Sequence, residues 1–177
     1  IEDALVKYRK ILLKGVAGSG KTTLLRWLSV MVSRGQFAQE FLSLNGKFPI
    51  LISLRDYNDV TKPLPKKLID LLPQFPFRPP IPDNRVEEFL HDRFNNGNAL
   101  VLVDGVDEVL QIRVDEVRDW IGKLIRDFPK ASYIISSRPV VSLVDWLHLK
   151  GRQGSSIDFV EAKVEPLNDP ELTSLVN

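Results

Sequence analysis

The chain has 177 residues, enough for one sizeable α/β domain with a core of its own. Its 24 Lys and Arg against 23 Asp and Glu leave a net charge of +1, so bulk electrostatics indicates neither a nucleic acid nor a membrane as partner. With no cysteine, disulfides and thiolate metal sites are excluded; His91 and His148 lie too far apart in sequence to favour zinc, and no apolar run reaches membrane-spanning length.

The chain begins at Ile1 without a signal-peptide pattern. That start suggests a piece of a longer protein, and a cytoplasmic domain is expected. Residues 1–10 are mixed and charged and read as the end of a preceding segment. Ile11-Leu12-Leu13 is a short apolar run and reads as a buried strand. It leads into Gly15-Val16-Ala17-Gly18-Ser19-Gly20-Lys21-Thr22-Thr23, which contains the P-loop pattern G-x-x-x-x-G-K-[ST]. Leu24, Leu25, Leu28 and Val32 then recur at helical spacing up to about Arg34, with Gly35 placed to end the helix.

The position of the pattern between strand and helix separates it from a chance glycine-rich turn. Gly15, Gly18 and Gly20 let the backbone bring its N–H groups against phosphate oxygens. The helix adds unpaired N–H groups and the positive end of its dipole. Lys21 supplies a mobile charge for the β- and γ-phosphates, and the Thr22 hydroxyl is a magnesium ligand.

Phe37–Leu44 has the look of a short helical stretch, and Pro49–Arg55 of a second buried strand. Residues 58–82 hold seven prolines (63, 65, 73, 76, 79, 80 and 82) and read as an irregular excursion around one helix, Leu64–Leu72. Asp83 is placed to cap a helix with Val86, Phe89, Leu90 and Phe94 on one face, stopped by Asn95-Asn96-Gly97-Asn98. Ala99–Val103 is wholly apolar, which suits a strand covered on both faces. Val114, Val117, Trp120, Ile121, Leu124 and Ile125 mark the next amphipathic helix, and Ser132–Ser136 a fourth strand. Val141–Lys150 reads as helix, residues 151–156 as loop and Ile157–Val164 as a fifth strand, with a new segment from Pro166. Strand–helix alternation throughout predicts an α/β fold with a mostly parallel sheet and helices on both faces. Trp27, Trp120 and Trp146 read as core or interdomain residues.

Two more strand ends carry chemistry. Asp104 closes the apolar third strand and is followed by Gly105-Val106-Asp107-Glu108. A carboxylate there faces the crevice in which open α/β sheets bind ligands, and it could hold Mg²⁺ beside Thr22. Asp107 or Glu108, one turn on, could polarise an attacking water, and Glu108 is the preferred choice. Three acidic residues on a solvated turn are the plain alternative; the preceding P-loop argues against it. The fourth strand ends in Ser136-Ser137-Arg138-Pro139, from which the Arg138 guanidinium could reach a γ-phosphate. Arg55 ends the second strand similarly, but an ion pair with Asp56 or Asp59 describes it better.

Together, Gly15–Leu24, Leu102–Glu108 and Ser136–Pro139 resemble the NACHT domain, a member of the STAND class of signalling ATPases related to AAA+ proteins. The Asp-Gly-x-Asp-Glu form is its most specific mark, and Leu54-Arg55-Asp56 and Val164-Glu165-Pro166-Leu167 are similar to that family as well. The resemblance implies a three-layer P-loop NTPase with a five-stranded sheet in the order 2-3-4-1-5, the Ser136 strand lying between the P-loop and Asp104 strands. It implies a nucleotide-binding domain over residues 1–166 and the start of a following helical domain at 167–177. It also implies ATP/ADP and Mg²⁺ as ligands, helical, winged-helix and sensor domains elsewhere in the full-length protein, and homo-oligomerisation on activation. In bacteria such modules serve antiviral defence, and in animals innate immunity. The expected function is an ATP-binding, slowly hydrolysing switch. The alternative is a conventional P-loop ATPase or small-molecule kinase, possibly nucleic-acid-dependent. A GTPase is disfavoured because no Asn-Lys-x-Asp segment is present.

Overall fold

In the computed structural model, residues 2–37, 43–54, 82–108, 114–139 and 159–164 are described. Five strands form one sheet: β1 (Lys10–Lys14), β2 (Phe48–Ser53), β3 (Ala99–Asp104), β4 (Ser132–Ser137) and β5 (Val160–Lys163). Their order is β2-β3-β4-β1-β5, and every pairing is parallel. The helices are α1 (Glu2–Lys7), α2 (Lys21–Arg34), α3 (Asp83–Asn95) and α4 (Val114–Asp127). The predicted fold class and strand order are therefore the observed ones.

The layering follows from the two-residue period of a strand. In β1, Leu12 packs on one face of the sheet, and Ile11 and Leu13 on the other. In β3, Val101 and Val103 share the Leu12 side, while Leu100 and Leu102 share the opposite one. The first face is covered by Phe94 of α3 and by Val117, Trp120, Ile121, Leu124 and Ile125 of α4. Leu5 of α1 and Leu25, Leu28 and Val32 of α2 cover the second. Two buried faces explain why β3 reads as a continuous apolar run rather than an alternating one.

Several local expectations are refined. Residues 2–7 form a helix, because Leu5 is buried against the α2 face of the sheet; one buried apolar residue in six gave no periodic signal. Asp83 is the first residue of α3 rather than its cap, and the N-cap position belongs to Pro82, which offers no side-chain hydrogen bond. Phe89 leaves the expected apolar face of α3. It is 41% exposed, lies edge-on to Phe48 of the edge strand β2, and carries the Arg93 guanidinium 4.8 Å above its ring. Trp27 is 49% exposed and meets Phe37 edge-to-face, whereas Trp120 is core. β2 ends at Ser53, two residues short of Arg55, and β5 covers only Val160–Lys163. Arg55, Leu64–Leu72, Val141–Lys150, Trp146, residues 151–156 and the segment from Pro166 lie outside the described residues, as does most of Phe37–Leu44. Gly35 ends α2 in the left-handed conformation, at φ 59°. No helix among the described residues is long and apolar enough to cross a membrane.

Tyr133 of β4 joins the layers. Its ring is fully buried, and its hydroxyl donates to the carbonyls of Leu124 (3.2 Å) and Phe128 (2.8 Å) at the end of α4. Burial, and then the Asp127 carboxylate, push its pKa up, so it stays a neutral donor. Tyr133→Phe keeps the ring and removes the hydroxyl donor, while the backbone N–H groups of Phe128 and Ala131 still reach these carbonyls; it should lower the unfolding free energy by about 1 kcal/mol in urea denaturation.

Candidate functional site

The first strand delivers the chain into a tight turn. Gly18 (φ +77°) and Gly20 (φ +89°) adopt left-handed conformations, and a Cβ at either would meet open space, so conformation rather than crowding selects glycine there. Gly15 is different: a Cβ on it would collide with Ser19 Oγ and lie 3.0 Å from the Val164 carbonyl. Close approach selects that glycine. Gly20 then occupies the N-cap position of α2, and no side chain caps the helix. The first-turn amides of α2 are thus left for a ligand, as anion binding at a helix N-terminus requires.

Lys21 folds back across this turn. Its ammonium donates to the carbonyls of Gly15 (2.6 Å) and Val16 (2.8 Å). Those two bonds fix the side chain over the loop and leave one N–H of the three for an anion.

Strand order brings the other candidates beside the turn. β4 lies between β1 and β3, with Leu13 opposite Ser136 and Val103 opposite Ile135. Ser136 therefore sits next to Asp104. Its hydroxyl donates to Asp104 Oδ1 (2.6 Å) and accepts from the Gly105 N–H (3.0 Å). Asp104 Oδ2 has no partner among the described residues. On the following 3-10 turn, Val106–Glu108, the Asp107 side chain is 6% exposed and both of its oxygens meet Arg138. The Arg138 backbone N–H donates to Oδ1 (3.0 Å), and its Nε lies 2.9 Å from Oδ2. The two terminal guanidinium nitrogens remain for another partner, in a side chain that is half exposed.

These groups share one cleft of about 260 Å³, lined on one side by Ala17 to Thr23 and on the other by Asp104, Gly105, Asp107, Ser136 and Arg138. Thr22 and Asp104 thus face the same space. Gly15 and Val16 contribute carbonyls to Lys21 instead of wall. Glu108 ends the 3-10 turn, and its side chain lies outside the described set. Ser136 is the residue that sequence reasoning placed in a strand without a role. The available signal was a polar residue among apolar ones at the C-terminal end of a buried strand.

The donor set suits magnesium. It is hard oxygen only, one hydroxyl and one carboxylate, and among the described residues no group of three or more acidic or imidazole side chains forms a cage. Mg²⁺ takes few protein ligands and keeps waters and phosphate oxygens for the rest.

A parallel sheet, an uncapped helix behind a glycine-rich turn and a facing carboxylate define a P-loop NTPase. The NACHT domain family profile matches residues 9–177, and the chain belongs to that family, a nucleotide-binding module of the STAND class. No curated protein matches the chain.

Ser136→Ala removes the group that holds both the Asp104 carboxylate and the Gly105 amide. It should destabilise the domain by about 1–3 kcal/mol, the cost of leaving such groups without a partner, as read from thermal or urea unfolding.

Proposed function

We propose that this chain is the ATP-dependent switch of a signalling protein, binding ATP or ADP with Mg²⁺ and hydrolysing ATP slowly to reset. The observation that carries this reading is the single cleft shared by the Gly18–Thr23 turn, Asp104 and the Asp107–Arg138 pair. The first-turn amides of α2 receive the β-phosphate, and Lys21 gives its remaining N–H to the β- and γ-oxygens. Thr22 and Asp104 would hold Mg²⁺, with the Asp104 carboxylate restrained by Ser136. A magnesium ion held there would supply Lewis-acid neutralisation of the phosphate charge.

The two acidic residues of the 3-10 turn divide the remaining work. Both oxygens of Asp107 are spent on Arg138, so Asp107 positions that arginine instead of accepting a proton. Glu108, its neighbour, takes the proton from the attacking water. Arg138 keeps its terminal nitrogens for the γ-phosphate and so distinguishes ATP from ADP. Loss of that contact on hydrolysis changes what the Asp107–Arg138 pair holds, which is how the nucleotide state reaches the rest of the protein. Helical, winged-helix and sensor domains would read that change, and the ATP form would assemble into a homo-oligomer that triggers a defence response.

Lys21→Ala should weaken ATP binding at least about a hundredfold, roughly 3 kcal/mol, in isothermal titration. Undiminished affinity would contradict the assignment. Glu108→Gln should leave ATP affinity within about twofold and slow single-turnover hydrolysis by at least about a hundredfold, the range expected for a general base. An unchanged rate would move the proton-accepting role to another group.

A further inference from the structure

The two ends of the sheet differ in chemistry. The C-terminal ends of the strands carry the phosphate loop and the carboxylates. At the N-terminal ends lies a second cavity, also of about 260 Å³, between α1, the start of β1, residues 43–47 and the starts of β3 and β4. None of its lining residues belongs to the first cleft. Apart from Ser132, the buried part of the lining is apolar, with Leu5, Ile11, Leu44, Leu100 and Ile134. The polar part consists of Lys7, Arg9 and Lys47 with the hydroxyls of Ser43, Ser132 and Tyr8; among the described residues no Asp or Glu lines the cavity.

Lys47 is the central group. Its ammonium is half-buried and donates to the Gly97 carbonyl at 2.8 Å, which leaves two N–H donors and the whole charge. Burial, and then the Arg9 guanidinium, hold its pKa below the usual lysine value. Among the described residues, none of Lys7, Arg9 and Lys47 forms an ion pair with a carboxylate. Capping the turn at Gly97 needs one neutral donor. It does not account for three cations around one apolar hollow. A half-buried ammonium beside a guanidinium is unfavourable on its own, and an anion in the same hollow relieves that cost.

We propose that this cavity is a binding site for a small phosphate monoester on a short apolar body, with Lys7, Arg9 and Lys47 around the head group and Leu5, Leu44 and Ile134 against the body. Three cations match a phosphate dianion better than a single carboxylate charge. The volume lies near the lower limit of small-molecule pockets, which excludes a nucleotide-sized ligand. The assignment is independent of what the phosphate loop binds.

The test is a titration of the ¹⁵N-labelled chain with phenyl phosphate, followed by amide shifts. Saturable shifts are expected at Arg9, Ser43, Lys47 and Ser132, and they should persist in Lys21→Ala, where the phosphate loop is disabled. Arg9→Gln changes an exposed side chain and should weaken binding at least about tenfold, the loss of one charge-assisted contact. Lys47→Met should do the same. Benzyl alcohol, an uncharged aromatic of similar body, should bind at least about tenfold more weakly than phenyl phosphate. Shifts confined to residues 15–23, equal affinity in Arg9→Gln, or equal binding of benzyl alcohol would each overturn the proposal.

Discussion

One hydrogen bond fixes the geometry on which the cleft depends. Ser136 on β4 ties the Asp104 carboxylate of β3 to its own strand while accepting the Gly105 amide. β4 also pairs with β1, which feeds the phosphate loop. A carboxylate at the end of a strand has free torsions, and a metal ligand has to be held to within a fraction of an ångström. The serine supplies that restraint from inside the sheet, where it is fully buried and cannot exchange its partners for water.

The second restraint is ionic. Asp107 is nearly enclosed, and it binds Arg138 through both the main chain and the guanidinium. A carboxylate used in this way has both oxygens occupied and little freedom to move. The same contact presents the outer nitrogens of an arginine to the cleft on a short tether. The inner half of the side chain is thus fixed while its outer half, half exposed, lines the cleft.

The opposite end of the sheet shows how strand direction distributes charge. The carboxylates lie at the ends that face the first cleft, Asp104 closing β3 and Asp107 on the turn that follows, together with Lys21 and Arg138. The starts of the strands, with α1 and residues 43–47, collect Lys7, Arg9 and Lys47 around an apolar hollow. With a net charge of only +1, this separation is invisible in composition. It arises because parallel strands place all of their starts on one side.

Much of the architecture was legible in the sequence because it rests on local patterns. An apolar run ahead of Gly15, helical spacing after Thr22 and the uniformly apolar Ala99–Val103 marked the strands and α2, and Gly35 marked where α2 ends. The phosphate loop was legible for the same reason: Gly18 and Gly20 are required by backbone conformation, a property of single residues. Phe89 was misjudged and α1 was not seen because their environments are set by the edge of the sheet and by the buried face that Leu5 finds. The pairing of Ser136 with Asp104, 32 residues apart, and of Arg138 with Asp107, 31 apart, depends on β4 entering between β1 and β3. The sequence determined the glycine-rich turn, the apolar strands and the residue types at their ends, since those follow from chemistry and short-range spacing. Only the tertiary structure decided that Ser136 aims the carboxylate and that Asp107 is committed to an arginine, because strand order is a long-range outcome that no local pattern encodes.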